Sequence, residues 1–401
     1  MSRKSLVVMG LVLALLVAAL LVEKGRRLPT GRKPAAAKIR PLPQDFDINA
    51  VTGIVLASSS STTHVDRVDG SWRVREMYGY YADFDRLSSF LRTLAFAESA
   101  QIVHGGTDRL ADFGLSCESG KPWGRVTLAC ESRPPLSIMI GDPWFPDLSR
   151  QTFTATSGGR YIRVGDGPVL LVIANLYPLP ADPKTWIRKR ILNVDPAAVQ
   201  RVEVKNTNST YTLIVNSPTE YTLADLGDGE EIDRGPANRL KRALQFLRCL
   251  AIADPEKTDA DLGFSTNSPL FTLTTTNGLV YRVTLGAKDA SGGYYARLSF
   301  DFAAPPPPDE NSVRAQLTAS SADSAPTETN LEGRVEQELA RQREAYEQMI
   351  DEARRELERL RRELSEWTFV IPLYDYETLT LPRSKLVKPK EKKPSPAKNT
   401  S

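Results

Sequence analysis

Cysteine and histidine are scarce in this chain. Its 401 residues include only Cys117, Cys130, Cys249, His64 and His104 of these two types. An odd and low number of cysteines excludes a disulfide-rich scaffold, and no CxxC or other metal-binding spacing occurs. Two histidines also exclude a histidine-rich metal site. The sequence therefore predicts no metal and no cofactor.

One pair of cysteines could still form a disulfide if the body of the protein lies outside the cytoplasm. Cys117 and Cys130 flank one loop, and disulfides persist in oxidising compartments. Both the free thiols and the disulfide stay open from the sequence. Cys249 lies in a helical apolar pattern, which is typical of a core residue.

Signatures of catalysis are also missing. Neither GxSxG nor HExxH occurs, so the common serine-hydrolase and zinc-protease motifs are absent. Asp83 with Asp85, or Glu230 with Glu231, could act as acid and base. Helix starts and solvated loops explain these pairs better. We predict no catalytic residue, and an enzyme of unknown class is the weaker alternative.

The net charge gives no reason to expect nucleic acid as a partner. The formal charge is +3, from 52 basic and 49 acidic side chains, whereas nucleic-acid-binding domains carry a strong basic excess. The basic excess is local and lies at the C-terminus. We interpret residues 387–401 as a basic, disordered tail.

A long apolar run lies near the N-terminus. Residues 5–22 carry no charge, and as a helix they would span roughly 27 Å, close to the bilayer core of about 30 Å. We predict an uncleaved transmembrane anchor there, between a cytoplasmic N-terminus, residues 1–4, and a tether, residues 23–45. A cleaved signal peptide is the alternative. Basic residues flank both ends, so charge does not fix the orientation.

An internal repeat organises the body. Residues 46–195 and 196–386 carry the same landmarks in the same order, which is the mark of a duplicated unit. The landmarks are an opening strand, a later short strand, a turn after a helix, and a Gly-Gly turn. The matching segments are 51–56 and 199–204, 72–75 and 221–224, 112–115 and 261–264, and 157–163 and 291–297. The sequence predicts an α+β fold of two tandem antiparallel-sheet-plus-helix units.

Each unit is predicted to contain one amphipathic helix. Leucines recur at i, i+4 and i+7, which gives one apolar face, and aspartates suited to a helix start precede them. These leucines are Leu87, Leu91 and Leu94 in the first unit and Leu240, Leu244 and Leu247 in the second. The dipeptides Asp69-Gly70 and Asn277-Gly278 predict hairpin turns.

The second unit carries an insertion, residues 301–366. It begins with a proline-rich extended stretch, residues 303–308, and continues with a polar segment, residues 312–329, that we interpret as disordered. A long helix is predicted over residues 330–367. The strand expected to return to the sheet after it is residues 367–371.

The long helix has a heptad pattern of apolar residues, and most of its other positions are Glu or Arg, as in a coiled coil. The apolar positions are Leu339, Tyr346, Ile350, Ala353, Leu357, Leu360 and Leu364. Two interpretations stay open. The helix could pack against its own domain, or it could dock a protein partner or a second copy of the chain. The sequence holds no second heptad segment, so a true coiled coil would need another molecule.

An aromatic pair flanked by prolines, Trp144 and Phe145, follows a predicted strand. One interpretation is a loop tip whose rings stack on a ligand. The other is that the rings cap the domain core. The first would suit a periplasmic glycan- or lipid-binding module.

These landmarks resemble the family described as domain of unknown function 4340. The resemblance rests on the anchor, on Trp72 in its strand, on the Gly114-Leu115 turn and on the strand ending at Asp142, and it covers roughly residues 46–386. Tyr221, where the second unit would carry tryptophan, departs from the pattern, as does the helical insertion. The resemblance provides no catalytic residue.

The resemblance also implies a cellular setting. Genes of this family commonly lie beside those of ABC-type transport systems related to gliding-motility auxiliary components. We therefore expect a non-enzymatic scaffold or accessory subunit of an ABC-type transport or envelope complex. It would cross the bacterial inner membrane once, keep its soluble body in the periplasm and bind protein partners. A homo-oligomer stays open.

Overall fold

The computed structural model describes residues 40–43, 45–97, 99–103, 106–116, 124–131, 133–145, 158–173, 176, 180–207, 209–320 and 328–390. The predicted anchor, most of the tether and most of the tail lie outside these residues. Within them, no helix is both long and apolar enough to span a membrane. The chain divides into two compact units. One contains residues up to 72 and 84–185, and the other contains residues 73–83 and those from 186 onward.

The first unit is an antiparallel sheet with one helix, so its α+β class agrees with the prediction. The elements, in chain order, are β1 (Val51–Ser58), β2 (Thr62–Val68), β3 (Ser71–Val74), β4 (Tyr80–Tyr81), α1 (Phe84–Phe96), β5 (Ser99–Ile102), β6 (Gly124–Cys130), β7 (Arg133–Trp144), β8 (Gly159–Val164) and β9 (Val169–Val172). Within this unit the strand order is β2-β1-β6-β7-β8-β9-β5. The short β3–β4 hairpin lies mostly in the segment grouped with the second unit.

Helix α1 packs its leucine face into the core of the first unit. Leu87, Leu91 and Leu94 are 1%, 6% and 0% exposed, as their spacing predicts. The predicted turn after β2 is also present, since Asp69 and Gly70 have φ of 48° and 76°. Tight hairpin turns require such left-handed values, which Asp and Gly tolerate best.

The second unit has a larger sheet and several helices. Its elements are β10 (Val199–Lys205), β11 (Thr210–Ser217), β12 (Glu220–Leu223), β13 (Glu230–Ile232), α2 (Arg234–Lys241), β14 (Ala251–Ile252), β15 (Leu270–Thr275), β16 (Leu279–Lys288), β17 (Tyr294–Phe302), α3 (Glu310–Ser320), α4 (Glu328–Leu364), β18 (Thr368–Ile371), α5 (Leu373–Leu379) and β19 (Val387–Pro389). The main sheet has the order β12-β11-β10-β15-β16-β17-β18-β14, and β13 pairs with β19.

The helix predicted in the second unit is shorter than its leucine pattern suggests. Leu240, Leu244 and Leu247 are all buried, but α2 ends at Lys241 and the next residues form successive turns. The spacing of the leucines therefore predicts which side chains are buried, but the regular helix includes only the first of them. The hairpin predicted at Asn277-Gly278 is confirmed by the pairing of β15 with β16.

The insertion leaves the sheet after β17 and returns as β18, and these two strands are paired partners. The predicted returning strand is thus confirmed. The predicted disorder of residues 312–320 is wrong, because they belong to α3. The Asp309 carboxylate accepts a hydrogen bond of 3.0 Å from the Ser312 N–H at the start of this helix. Val313 is fully buried, so this largely polar helix places at least one apolar side chain in the core.

The body also extends past its predicted C-terminal boundary. Residues 387–389, assigned from sequence to the disordered tail, form β19, and Val387 pairs with Ile232 of β13. The neighbouring residues are rich in lysine and show no strand pattern, so pairing with a strand so distant in the chain could not be predicted from them. The tail beyond residue 390 lies outside the described residues.

Gly286 tests the close packing of the second sheet. A Cβ at this position would lie 2.4 Å from the Leu262 carbonyl oxygen, so we expect Gly286→Ala to lower the free energy of unfolding by about 1–3 kcal/mol. Gly333 is the control, since a Cβ there meets nothing within 4 Å. Gly333→Ala in helix α4 should stabilise by about 0.5–1 kcal/mol. Urea titration of the full chain in non-ionic detergent measures both, and equal effects would contradict the packing.

Candidate interaction site

The helical insertion is the candidate site, and its C-terminal half packs inside the second unit. Ile350, Ala353, Leu357, Leu360 and Leu364 are between 1% and 8% exposed. Helix α4 packs here against β17. These five predicted docking residues are therefore not on the surface. Of the two interpretations of the helix, this favours packing against its own domain. The apolar seam has a partner within its own chain.

The N-terminal half of α4 packs on α3, and together they form a helical hairpin. Val313 and Val335 are 0% and 2% exposed. The Tyr346 hydroxyl donates a hydrogen bond of 2.8 Å to the Pro305 carbonyl oxygen. Leu339 and Tyr346, the two remaining predicted docking residues, are half-buried. We call the described residues 309–320 and 328–345 the outer hairpin.

Helix α3 could not be predicted from the sequence, because it has no heptad pattern of apolar residues. Helix α3 has few large apolar residues, among them the buried Val313. One side of α4 is therefore covered within the same chain.

The surface of the outer hairpin is charged and carries both signs. Arg341 forms an ion pair of 2.9 Å with Glu338, and both Arg334 and Arg343 are exposed. Such pairs at the surface add little stability. They can instead select a partner of complementary charge and speed its association.

Ion pairs fix the base of α4. The Glu363 carboxylate lies 3.1 Å from the Arg188 guanidinium and 3.3 Å from that of Arg359. Arg359 also binds Glu356 at 2.5 Å. The Arg361 Nε donates to the Phe300 carbonyl oxygen of β17 at 3.2 Å. The orientation of α4 on the sheet is thus set by polar contacts beside the buried seam.

An aromatic cluster lies next to this base. The Tyr80 ring is fully buried, with centroids 5.2 Å from Trp367 and 5.7 Å from Phe369, both in edge-to-face geometry. Burial raises the pKa of Tyr80, so the phenol stays neutral. The Arg188 guanidinium stacks 4.5 Å above the Tyr81 ring. Strand β4 is thereby held in the same cluster as the end of the insertion.

The predicted ligand loop at Trp144 and Phe145 is not a loop tip. Trp144 ends β7 and pairs with Gly159 of β8, and both aromatic residues are half-buried. The sheet tolerates Pro143, which lacks an N–H, because the register shifts between Ile140 and Pro143. Proline signals suggest a turn, but the strand continues through this irregularity.

The two described cysteines, Cys130 and Cys249, are not paired with each other. Cys249 is 1% exposed, as expected of a core residue, and burial raises its pKa to about 12. A thiol with so high a pKa is unreactive at neutral pH. Cys130 is half-buried, and Cys117 lies outside the described residues. The Cys117–Cys130 disulfide therefore stays a prediction.

The Glu230 and Glu231 carboxylates form ion pairs with Arg383 and Lys388. The Asp83 N–H donates to the Trp186 carbonyl oxygen at 2.7 Å, and Asp85 lies in the first turn of α1. A hydrogen bond from Arg383 lowers the pKa of Glu230 to about 2. His64 lies in β2 and His104 outside the described residues. In the described residues, no three His, Cys, Asp or Glu side chains group as metal ligands.

Asp375 is an unusual acid that sequence reasoning missed. It lies in the first turn of α5, where an acidic residue is ordinary, so nothing in the pattern marks it. Burial raises the pKa of Asp375 to about 6, although a hydrogen bond from the Arg248 backbone works against this. The neutral carboxyl is favoured by its surroundings.

Comparison with known proteins identifies a family. Residues 72–266 match the family described as "Domain of unknown function (DUF4340)". This part of the chain belongs to that family. The match begins at Trp72 and includes the Gly114-Leu115 turn, as the resemblance predicted, and it ends before the helical insertion. No curated protein and no solved structure matches the chain.

Leu360 tests the intramolecular seam. Because it is 3% exposed, Leu360→Ala should lower the free energy of unfolding by about 2–5 kcal/mol. Leu339→Ala, at a half-buried position of the same helix, should cost less. Urea unfolding of the full chain in non-ionic detergent, followed by tryptophan fluorescence, compares the two. Equal losses would mean that the base is no better packed than the outer hairpin.

Asp375 predicts a pH dependence of stability. Its pKa is raised in the folded state to about 6, above the usual value of about 3.9 for an unfolded Asp. The folded state therefore binds the Asp375 proton more tightly than the unfolded state, and the contribution of Asp375 to stability falls as pH rises from 4 to 6. Asp375→Asn should remove this slope and, allowing for solvent screening, stabilise by about 1 kcal/mol at pH 7.5. A difference in unfolding free energy between the variant and the wild type that stays constant from pH 4 to 6 would contradict this assignment.

Proposed function

We propose that the protein is a non-enzymatic, membrane-anchored scaffold or accessory subunit of an ABC-type transport or envelope complex. The anchor would be residues 5–22, with the body in the periplasm. Support comes from the family of residues 72–266 and from the helical insertion. The partners would be membrane subunits of the transporter.

The observation that carries this proposal is where the insertion lies. It is placed between β17 and β18, two strands that pair with each other. In the first unit the paired strands β8 and β9 are joined by a tight turn, so the outer hairpin adds a surface that the pairing of β17 with β18 does not require. Its base is rigidly packed, whereas its outer half exposes charge. We propose the outer hairpin, and not the apolar seam, as the docking surface.

We also propose that the two predicted repeats, residues 46–195 and 196–386, arose by duplication. The order β2-β1-β6-β7-β8-β9-β5 corresponds, element by element, to β11-β10-β15-β16-β17-β18-β14. The insertion then interrupts the connection between β17 and β18. The corresponding connection in the first unit, between β8 and β9, is a tight turn. A duplication followed by an insertion accounts for both facts.

Local irregularities support the duplication more specifically than the strand order does. The Asp47 and Asp195 carboxylates each accept a hydrogen bond from the backbone two residues on, at the start of a single helical turn. The following strand then has a bulge at its second residue in both units, after Val51 and after Val199. Shared bulges are rarely found in unrelated sheets, because each interrupts the ladder.

A long-range hydrogen bond also recurs. The Thr63 hydroxyl in β2 donates to the Ala181 carbonyl oxygen at 2.6 Å. The Tyr211 hydroxyl in β11 donates to the Leu381 carbonyl oxygen at 2.7 Å. In each unit the acceptor lies just before a one-turn helix, Pro183–Thr185 or Arg383–Lys385. Different side chains thus make the same connection.

Replacing the outer hairpin tests the docking surface. Residues 309–345 would be exchanged for a short Gly-Ser linker, whose ends are close because Tyr346 bonds to Pro305. The buried residues from Ile350 to Leu364 stay in place, so the body should fold. We expect co-purification with transporter subunits from native membranes to fall at least about tenfold, the loss of 1.4 kcal/mol or more.

Charge reversal provides a sharper comparison. Arg334→Glu with Arg343→Glu changes the outer hairpin, whereas Arg355→Glu with Arg362→Glu changes exposed positions at the base of the same helix. Only the first pair should weaken co-purification. Crosslinking mass spectrometry in native membranes would name the neighbours. Undiminished co-purification of the linker variant would rule out the hairpin as the dock.

A further inference from the structure

A groove in the first unit lies between α1 and the sheet. Its volume is about 380 Å³, within the range of roughly 300–1,000 Å³ that small-molecule pockets occupy. Leu87 and Leu91 of α1 and Val51 of β1 line it, and all three are nearly fully buried. The exposed side chain of Phe84 adds a further apolar surface.

The lining is apolar with a positive edge. Six of its ten described residues are apolar, including Trp72, and two are arginines, Arg67 and Arg92. No acidic residue is among them. Arg92 donates to the Ser88 carbonyl oxygen and hydroxyl at 3.3 and 3.1 Å, which holds its guanidinium at the groove. Arg67 is exposed at the end of β2.

We propose that this groove binds an acyl chain of an anionic phospholipid, with the phosphate against Arg67 and Arg92. An apolar surface between α1 and the sheet suits hydrocarbon, since burial of such surface is favourable. Arginine recognises phosphate through several N–H donors at once. A neutral amphiphile would leave the two cations without a counter-charge.

The charge of the groove also argues against occupation by the N-terminal tether or the C-terminal tail of this chain. Residues 23–39 contain six basic residues and one acidic residue, and residues 391–401 contain three and one. Both segments would place positive charge beside Arg67 and Arg92. The lipid proposal does not depend on the outer hairpin as a docking surface, because the groove lies in the first unit and the outer hairpin in the second.

Tryptophan quenching tests the proposal with the full chain in non-ionic detergent. The probe is phosphatidylglycerol with brominated acyl chains, and phosphatidylcholine with the same chains is its neutral counterpart. The segment 5–22 contains no tryptophan, so quenching reports on the body. Trp72→Phe identifies the part of the quenching that arises at the groove, and we expect it to remove most of the signal.

Three variants separate the charge from the apolar surface. Arg67→Gln with Arg92→Gln should weaken phosphatidylglycerol binding about tenfold, at up to about 1 kcal/mol for each cation, and leave phosphatidylcholine unchanged. Phe84→Ser should weaken binding of both lipids. Phe96→Ser is the matched control, since Phe96 is 78% exposed on the same helix and outside the groove; it should change neither.

Three outcomes would overturn the proposal. The first is quenching that persists in the Trp72→Phe variant. The second is an arginine variant that keeps its preference for phosphatidylglycerol. The third is a groove occupied by an acidic amphipathic peptide that the lipid does not displace, which would assign it to a protein partner. Circular dichroism checks that each variant is folded.

Discussion

The spacing of two paired strands constrains the second unit. Neighbouring strands lie about 4.8 Å apart, but Thr368 at the start of β18 pairs with Arg297, whereas β17 runs on to Phe302. The inserted segment must therefore come back along β17 before it rejoins the sheet. An up-and-back pair of helices meets this condition. Helix α4 is far longer than α3, and its additional length at the C-terminal end covers β17. The buried seam from Ile350 to Leu364 is the consequence, since this part of the helix has sheet on one side instead of a second helix.

The sequence predicted the features that rest on local chemistry. Leucine spacing located α1, and Asp69-Gly70 and Asn277-Gly278 located their turns, because each depends on a few adjacent residues. The heptad pattern identified apolar positions on α4 correctly. It could not identify what covers them, since a strand and a partner helix require the same apolar stripe. The sequence alone therefore leaves the partner of this seam open, and the structure shows that it is β17.

The missed elements depend on distant parts of the chain. Helix α3 is polar and is held by a cap at Asp309 and by Val313 against α4, so its composition resembled disorder. Strand β19 is lysine-rich and exists because β13 offers an edge. Trp144 continues a strand through a bulge that no short motif announces. The sequence predicted the helix that carries the candidate docking positions. It did not predict which of its residues are exposed, because exposure depends on the elements that pack against the helix.

The insertion also lies beyond the residues that match the family. It joins two strands that pair directly with each other. Segments of other lengths could occupy this position while the sheet stays as it is, provided that they bring their own apolar cover for β17. The junction is thus a point where related chains can gain or lose whole appendages, and so acquire new associations, without redesigning the body that carries them.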